Sequence, residues 1–185
     1  MSAEKLKDKI LYLRLRKKDK EAFVKVYNLY FDDIYRFIYF KVGNKEEAED
    51  ISSSVFLKTW DYIQNNNLGE FKSLKPFLYQ VARNNVIDHY RKKSSVENLS
   101  LDHKDSRELE DEKQDVVKDI DLQRDYEEII KGLQKLKDEY REVLIMRHVN
   151  ELSISEIAES LNKTKGNVRV LIYRATKALK DVLKE

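Results

Sequence analysis

Within twelve positions the sequence gathers Lys163, Thr164, Lys165, Asn167, Arg169 and Arg174. Arg is suited to guanine in the major groove of DNA and Asn to adenine. Val168, Ile172, Ala175 and Leu179 recur at +4, +3 and +4. That spacing predicts a helix whose apolar stripe leaves Lys165, Asn167, Arg169 and Arg174 off it. Lys163 and Thr164 fall at its start, where unpaired N–H groups favour a phosphate.

The residues ahead of this helix fix its setting. Ser153-Ile154-Ser155-Glu156 reads as a capping box, with a Ser N-cap and Glu at the third helical position. The helix it opens carries Ile157, Ala158 and Leu161. A short turn at Asn162-Lys163 follows, and Thr164 can cap the next helix. Two short helices so joined must cross steeply, and the small Ala158 lets them approach. This is helix-turn-helix geometry. The bland rival is a helical hairpin with a solvated basic face; both caps, the brief turn and the placement of the bases favour DNA binding.

A second candidate lies in "FLYQVARNNVIDHYRKK", Phe77 to Lys93. Leu78, Tyr79, Ala82, Val86 and Tyr90 share one sector of about 120° on a helical wheel and are expected in the core. Gln80, Asn84, Asp88 and Arg91 gather on another side, with Phe77 and Val81 beside them. Amides next to exposed apolar surface can read an unpaired base while a ring or aliphatic face stacks on it. Arg91, Lys92 and Lys93 would then meet phosphates. Pattern alone leaves an ordinary amphipathic helix equally open.

No catalytic, metal or cofactor set stands beside these. Cys is absent, which removes thiolate metal ligands and Cys nucleophiles. His89, His103 and His148 are scattered, and no carboxylate–His group has metal spacing. The reading is of a protein that is no enzyme and needs no cofactor. No apolar run approaches the ~20 residues of a membrane span. "MSAEKLKDKI" has no apolar segment of the signal-peptide kind. A cytoplasmic location without membrane insertion is expected.

The elements that must position these groups are helical. One Pro and four Gly among 185 residues, with 38% charged, argue for long helices. A first helix over roughly 3 to 18 places Leu6, Ile10 and Leu13 on one side. Asp19 can cap a second, in which Phe23, Tyr27, Tyr30, Ile34 and Phe37 recur up to Gly43 as a core stripe. A third starts after Asn44, carries acids in its first turn and reaches about Tyr62 or Gln64. "NNNLGEFKS" is a loop, and Pro76 falls in the first turn of the helix after Ser73. Later, Ile129, Leu133, Leu136 and Tyr140 mark one helix, with Val143, Leu144 and Val149 on the next.

Charge divides the chain in three. Residues 1–93 carry 19 Lys+Arg against 13 Asp+Glu, residues 94–122 carry 4 against 10, and residues 123–185 carry 13 against 11. The acidic middle shows no sustained period and reads as a flexible tether. The expected fold is all-α: a helical domain over 1–93, an acidic linker over 94–122 and a helix-turn-helix domain over 123–185. A 29-residue tether spans on the order of 100 Å, while DNA sites two helical turns apart are roughly 70 Å from each other. One chain can reach both.

"AEDISSSVFLKTW", "PFLYQVARNNVIDHYRKK" and "YREVLIMRHVNELSISEIAESLNKTKGNVRVLIYRATKAL", in this order and spacing, resemble a bacterial RNA polymerase sigma factor. The resemblance is to the extracytoplasmic-function (ECF) type of the sigma-70 family, which has regions two and four only. It implies promoter recognition and melting, with core RNA polymerase, promoter DNA as duplex and melted strand, and an anti-sigma factor as partners. Polymerase docking would fall on Glu49, Asp50, Leu57 and Lys58. The downstream, minus-ten element would fall to Arg83, Asn84, Asp88, Arg91, Lys92 and Lys93. The upstream, minus-thirty-five element would fall to Lys163, Thr164, Lys165, Asn167, Arg169 and Arg174. Ser53 and Ser54 stand where the family usually has Gln and Glu, and Val170 and Leu171 where it usually has Ser and Arg. A standalone helix-turn-helix regulator that binds duplex DNA without polymerase is the alternative.

Overall fold

A computed structural model describes residues 3–65, 73–99 and 128–184, without the side chains of residues 3–7 and 94–99. Leu6 and most of the "NNNLGEFKS" loop lie outside what is described, as does the expected tether from residue 100 onward. Helices α1 (Ala3–Arg16), α2 (Lys20–Val42), α3 (Lys45–Asn65) and α4 (Leu74–Leu99) form the N-terminal module. Helix α4 therefore continues six residues past the expected boundary at 93. The C-terminal module has α5 (residues 128–134), α6 (Asp138–Leu144), α7 (Ile154–Ser160) and α8 (Lys165–Val182). Among the described residues there is no strand.

Local chemistry sets the helix ends. Asp19 accepts from the Ala22 amide at 3.1 Å and from Arg14 Nε at 2.7 Å, joining α1 to α2. Arg14, followed by the Ala22 amide, holds the Asp19 carboxyl below the usual carboxylate range. Asn44 accepts from the Glu47 amide at 2.9 Å, opening α3. Helix α2 stops at Gly43, whose φ of 77° is left-handed and which donates to the Tyr39 carbonyl. A Cβ there would also come within 3.1 Å of Gln134 Nε2. Gly43 thus serves both the helix end and the approach of the C-terminal module.

The core of the N-terminal module is built by Val26, Tyr30, Ile34, Phe37 and Ile38 of α2, Ile51, Val55 and Phe56 of α3, and Leu78, Tyr79, Ala82 and Val86 of α4. Four expectations change. Tyr27, expected in the core stripe of α2, is 39% exposed beside Phe56 and Phe31. Helix α1 turns Tyr12 and Leu15 inward and leaves Ile10 and Leu13 about half exposed. Burial of Tyr12 and Leu15 sets that orientation, and the Tyr30 hydroxyl donates to Asp8 on the same face at 2.5 Å. Phe77 is buried against Tyr62, at 5.3 Å between ring centroids, and is not a surface ring. Tyr90, expected inside, sits at the surface end of α4.

In the C-terminal module the apolar pattern hides a break: α5 ends at 134 and α6 starts at Asp138, so Tyr140 belongs to the second helix. Arg141 fills the break, donating to the carbonyls of Leu133, Gln134 and Leu136 at 2.9, 2.8 and 3.3 Å. Helix α6 then widens into a π-turn over Ile145–Val149, closed by the Asn150 amide on the Ile145 carbonyl at 3.0 Å.

The two modules pack directly. Helix α4 lies on α7, and α2 lies on the π-turn. At the centre is Glu142, 1% exposed, which accepts from Lys41 Nζ at 3.0 Å and from Arg83 Nε at 3.0 Å. Lys41 is also 1% exposed and reaches Asp138 at 3.3 Å. Around these ions, Arg141 and Gln134 donate to the Lys41 carbonyl, each at 3.0 Å, and Asn150 Nδ2 donates to the Asp33 carbonyl at 2.8 Å. Tyr79 is buried in the N-terminal core, and burial, ahead of the nearby Asp33 charge, pushes its phenol well above the usual value.

A buried ion with one partner removed is costly, whereas an apolar pair of similar volume is tolerated. Glu142→Ala should lose roughly 3–5 kcal/mol, and Lys41→Met combined with Glu142→Leu should recover most of that loss. Urea denaturation of the three chains checks it; a double variant as unstable as Glu142→Ala would refute the assignment.

Candidate nucleic-acid interface

The helix-turn-helix forms as its caps dictate. Ser153 accepts from the Glu156 amide at 3.3 Å while its own amide donates to Glu156 Oε2 at 2.8 Å. Thr164 accepts from the Asn167 amide at 3.2 Å. The turn passes through Asn162 in a left-handed conformation, φ 51°, which a short amide side chain tolerates. Val168, Leu171 and Ala175 are the buried side of α8.

Lys163, Thr164, Lys165, Asn167, Arg169 and Arg174 are all exposed. Arg169 and Arg174 make no hydrogen bond or ion pair with another described residue, while Lys163 pairs with Glu139 at 2.8 Å. The two departures from the family pattern separate here. Leu171 is 8% exposed and belongs to the core, whereas Val170 is 49% exposed beside the arginines. Sequence reasoning passed over Tyr173, which is 72% exposed on the same side. The signal was available, since an aromatic residue off the Val168–Ile172–Ala175 stripe must point outward.

The second candidate face lies along α4. Its adjacent amides divide: Asn84 is exposed, whereas Asn85 is buried, donates to the Val81 carbonyl at 2.9 Å and accepts from Ser54 at 3.3 Å. Asp88, Arg91, Lys92 and Lys93 are exposed. Asp88 pairs with Lys58 of α3 at 3.4 Å, and Lys93 with Glu47 at 2.8 Å. Arg83 points elsewhere, into the module interface, where Glu142 holds it. Asn84, Asp88 and Arg91 share one sector of α4 with Lys92 at its edge, whereas Lys93 lies about 180° from Asn84, turned to Glu47, and Arg83 faces the module interface. Phe77 supplies no stacking surface there, because it is internal.

A third surface lies between α2 and α3. Phe23 meets Trp60 at 4.8 Å and Tyr27 meets Phe56 at 4.9 Å between centroids. Phe31, Tyr35 and Tyr39 continue the row at 6.5 and 6.1 Å, with nearly parallel rings. The row opens into an apolar groove of about 510 Å³ lined by Lys20, Phe23, Val24, Tyr27, Ser53 and Leu57, among others. Leu57 is 72% exposed at its rim. Glu49 and Asp50 are exposed on the same helix. Burial, then the Glu49 charge, raises the Tyr35 phenol above its usual value, which places that carboxylate beside the aromatic row. A groove that is apolar apart from Lys20 and Ser53 suits the apolar side of a protein helix far better than DNA.

Comparison with known proteins places both modules in one family. Residues 26–96 match Sigma-70 region 2, and residues 126–179 match Sigma-70, region 4. The chain is 30% identical over 181 residues to the ECF RNA polymerase sigma factor SigW of Bacillus subtilis (strain 168), covering 93% of this chain and 94% of that one. Its fold matches that of CnrH in a complex with the cytosolic domain of CnrY, with a TM-score of 0.72 at 17% identity, over 96% of this chain and 97% of that one. It likewise matches the sigma factor RpoE of Bartonella quintana in complex with the anti-sigma factor NepR, with a TM-score of 0.67 at 22% identity, over 88% and 96% of the two chains. Because the match includes the first module, that module is no unrelated sensor attached to a DNA-binding domain. With two regions matched in order and a relative similar along nearly its whole length, the chain belongs to the ECF group of the sigma-70 family of RNA polymerase sigma factors.

Proposed function

We propose that the chain is a dissociable promoter-specificity subunit that brings core RNA polymerase to promoters and holds the melted strand. The α3 surface around Glu49, Asp50, Leu57 and Lys58 docks the polymerase, and the neighbouring groove takes an apolar side of the same partner. Asn84, Asp88, Arg91 and Lys92 of α4 meet the downstream element. The start and outer face of α8 enter the major groove of the upstream element. The protein works in the cytoplasm, catalyses nothing itself and uses neither metal nor cofactor. An anti-sigma factor that covers these surfaces completes the partner set. The observation that carries the reading is the presence, on one chain, of an apolar groove on the helix that bears Glu49 and Asp50, a mixed polar surface on α4 and a basic face on α8.

Arg83 gives the reading a conformational step. Its Nε donates to Glu142 of the other module, so it joins the downstream face only after the modules part. Capture of a flipped base offsets the few kcal/mol that unstacking costs.

Run-off transcription with core polymerase tests the function: the protein should confer initiation on some members of a promoter library, and initiation on none would end the proposal. The two amides should behave differently. Asn85→Ala should lower stability by about 1–3 kcal/mol in thermal melting, because it strips buried hydrogen bonds. Asn84→Ala should leave melting unchanged and reduce open-complex formation. For the upstream face, Arg169→Ala should cost about 1–3 kcal/mol of binding and relax sequence preference. Lys92→Ala should weaken binding evenly and lower the slope of log K against log salt by about 1. Identical behaviour of Arg169→Ala and Lys92→Ala in a salt series would contradict the division between base and phosphate contacts.

A further inference from the structure

The outward pole of α8 is apolar, although its flanks are basic. At about 100° per residue, Tyr173 and Val170 lie roughly 60° apart on the helix surface, with Gly166 and Lys177 between them. Arg169 and Arg174 stand about 40° outside this pair on either side. The buried residues Val168, Leu171 and Ala175 face the opposite way. The two apolar side chains are 49% and 72% exposed, in the middle of a helix that carries five bases and no acid from Lys165 to Lys180. A single exposed apolar residue needs no explanation. Two of them, centred on a cationic face, match a target that is anionic at its edges and apolar in the middle.

The major groove of A·T-rich DNA is such a target. Phosphates line its edges, and each thymine presents a C5-methyl group on the groove floor. Residues three apart on a helix rise about 4.5 Å, close to the ~3.4 Å step between base pairs. Val170 and Tyr173 can therefore address neighbouring pairs. Gly166 supports a close approach by something outside the chain. A Cβ at this position would meet only Thr164 Oγ1, at 3.9 Å, an ordinary contact. Nothing inside the protein requires glycine there, and a helix prefers alanine.

We propose that Val170 and Tyr173 form an apolar reading strip for the C5-methyl groups of thymines on adjacent base pairs of the upstream promoter element. Arg169 and Arg174 take the polar groups on either side. This rests on the reading that α8 enters the major groove at that element, and it adds which bases the centre of the helix selects.

The test uses holoenzyme reconstituted from the full chain and core RNA polymerase. Upstream elements are first selected from randomised duplexes. Each thymine of the winning sequence is then replaced by deoxyuridine, which keeps the base pair and removes only the methyl. Replacement at two neighbouring pairs should each weaken binding about four-fold, the effect of one buried methyl-sized group. Val170→Ser should abolish the effect at one pair and Tyr173→Ser at the other, with thermal melting unchanged because both side chains are exposed. Deoxyuridine without effect at every position, or with an undiminished effect in both variants, would overturn the strip. A holoenzyme that selects no upstream sequence would instead overturn the placement of α8 in the groove, and the strip with it.

Discussion

Glu142 sets the terms for the whole arrangement. A carboxylate 1% exposed has lost its hydration and needs hydrogen-bonded, charged partners in its place. Two cations from the other module supply them: Lys41, itself 1% exposed, and Arg83, which reaches in from a partly exposed position. Such a pair contributes little net stability over an apolar contact, but it penalises every packing in which the charges do not meet. It therefore fixes register. With Lys41 on Glu142, the Lys41 carbonyl comes within reach of Arg141 and Gln134, and the π-turn brings Asn150 to the Asp33 carbonyl.

That register decides which surfaces remain outside. The interface uses the α2 terminus and the Arg83 side of α4, together with α7 and the π-turn. The α2–α3 groove, the Asn84–Asp88–Arg91 side of α4 and the outer face of α8 all stay exposed. Three surfaces with different chemistry thus persist in the closed chain. The groove is apolar, on the helix that also exposes Glu49 and Asp50, the α4 surface is mixed, and α8 is basic around an apolar centre. Among the described residues, only Arg83 belongs to both the interface and a proposed binding surface.

The legible parts of the sequence were those governed by short-range rules. Asp19, Asn44, Ser153 and Thr164 each cap the helix expected from them, since an N-cap needs only a side-chain oxygen and an amide two or three residues away. The helix-turn-helix followed from those caps and one apolar stripe. Long-range partners were not legible. Lys41 in a helix's last turn reads as a solvated cation suited to the macrodipole, and its partner lies 101 positions away. Ile10 and Leu13 had the right spacing to face inward, yet Tyr12 and Leu15 are the residues α1 buries, on the face where Asp8 meets Tyr30. Asn84 and Asn85 differ by one position and about 100°, and only the placement of Ser54 shows which amide is internal. The loop and the tether, on which the downstream site and the reach between sites also depend, fall outside the described residues.

The coupling between closure and DNA engagement follows from what each cation can do once the modules separate. Arg83 is already partly exposed and keeps a guanidinium that can bind phosphate or a base edge in two directions. Lys41 gains water, but it leaves a site where Phe37 lies 5.9 Å below its ammonium and two carboxylates surround it. Glu142 loses both partners and must be solvated. Water repays most of the separated charge, as it does for any salt bridge taken apart in solvent. What it does not repay is the apolar area shared by α4 and α7 and by α2 and the π-turn. Opening is therefore opposed chiefly by hydrophobic contact, while the ions determine that closure occurs in one register. A partner that separates the modules must cover comparable apolar surface, and the polyanionic face of DNA cannot do that alone. A protein partner that takes over the α4–α7 and α2–π-turn surfaces would do so. One that fills only the α2–α3 groove, exposed already in the closed chain, would leave the balance unchanged.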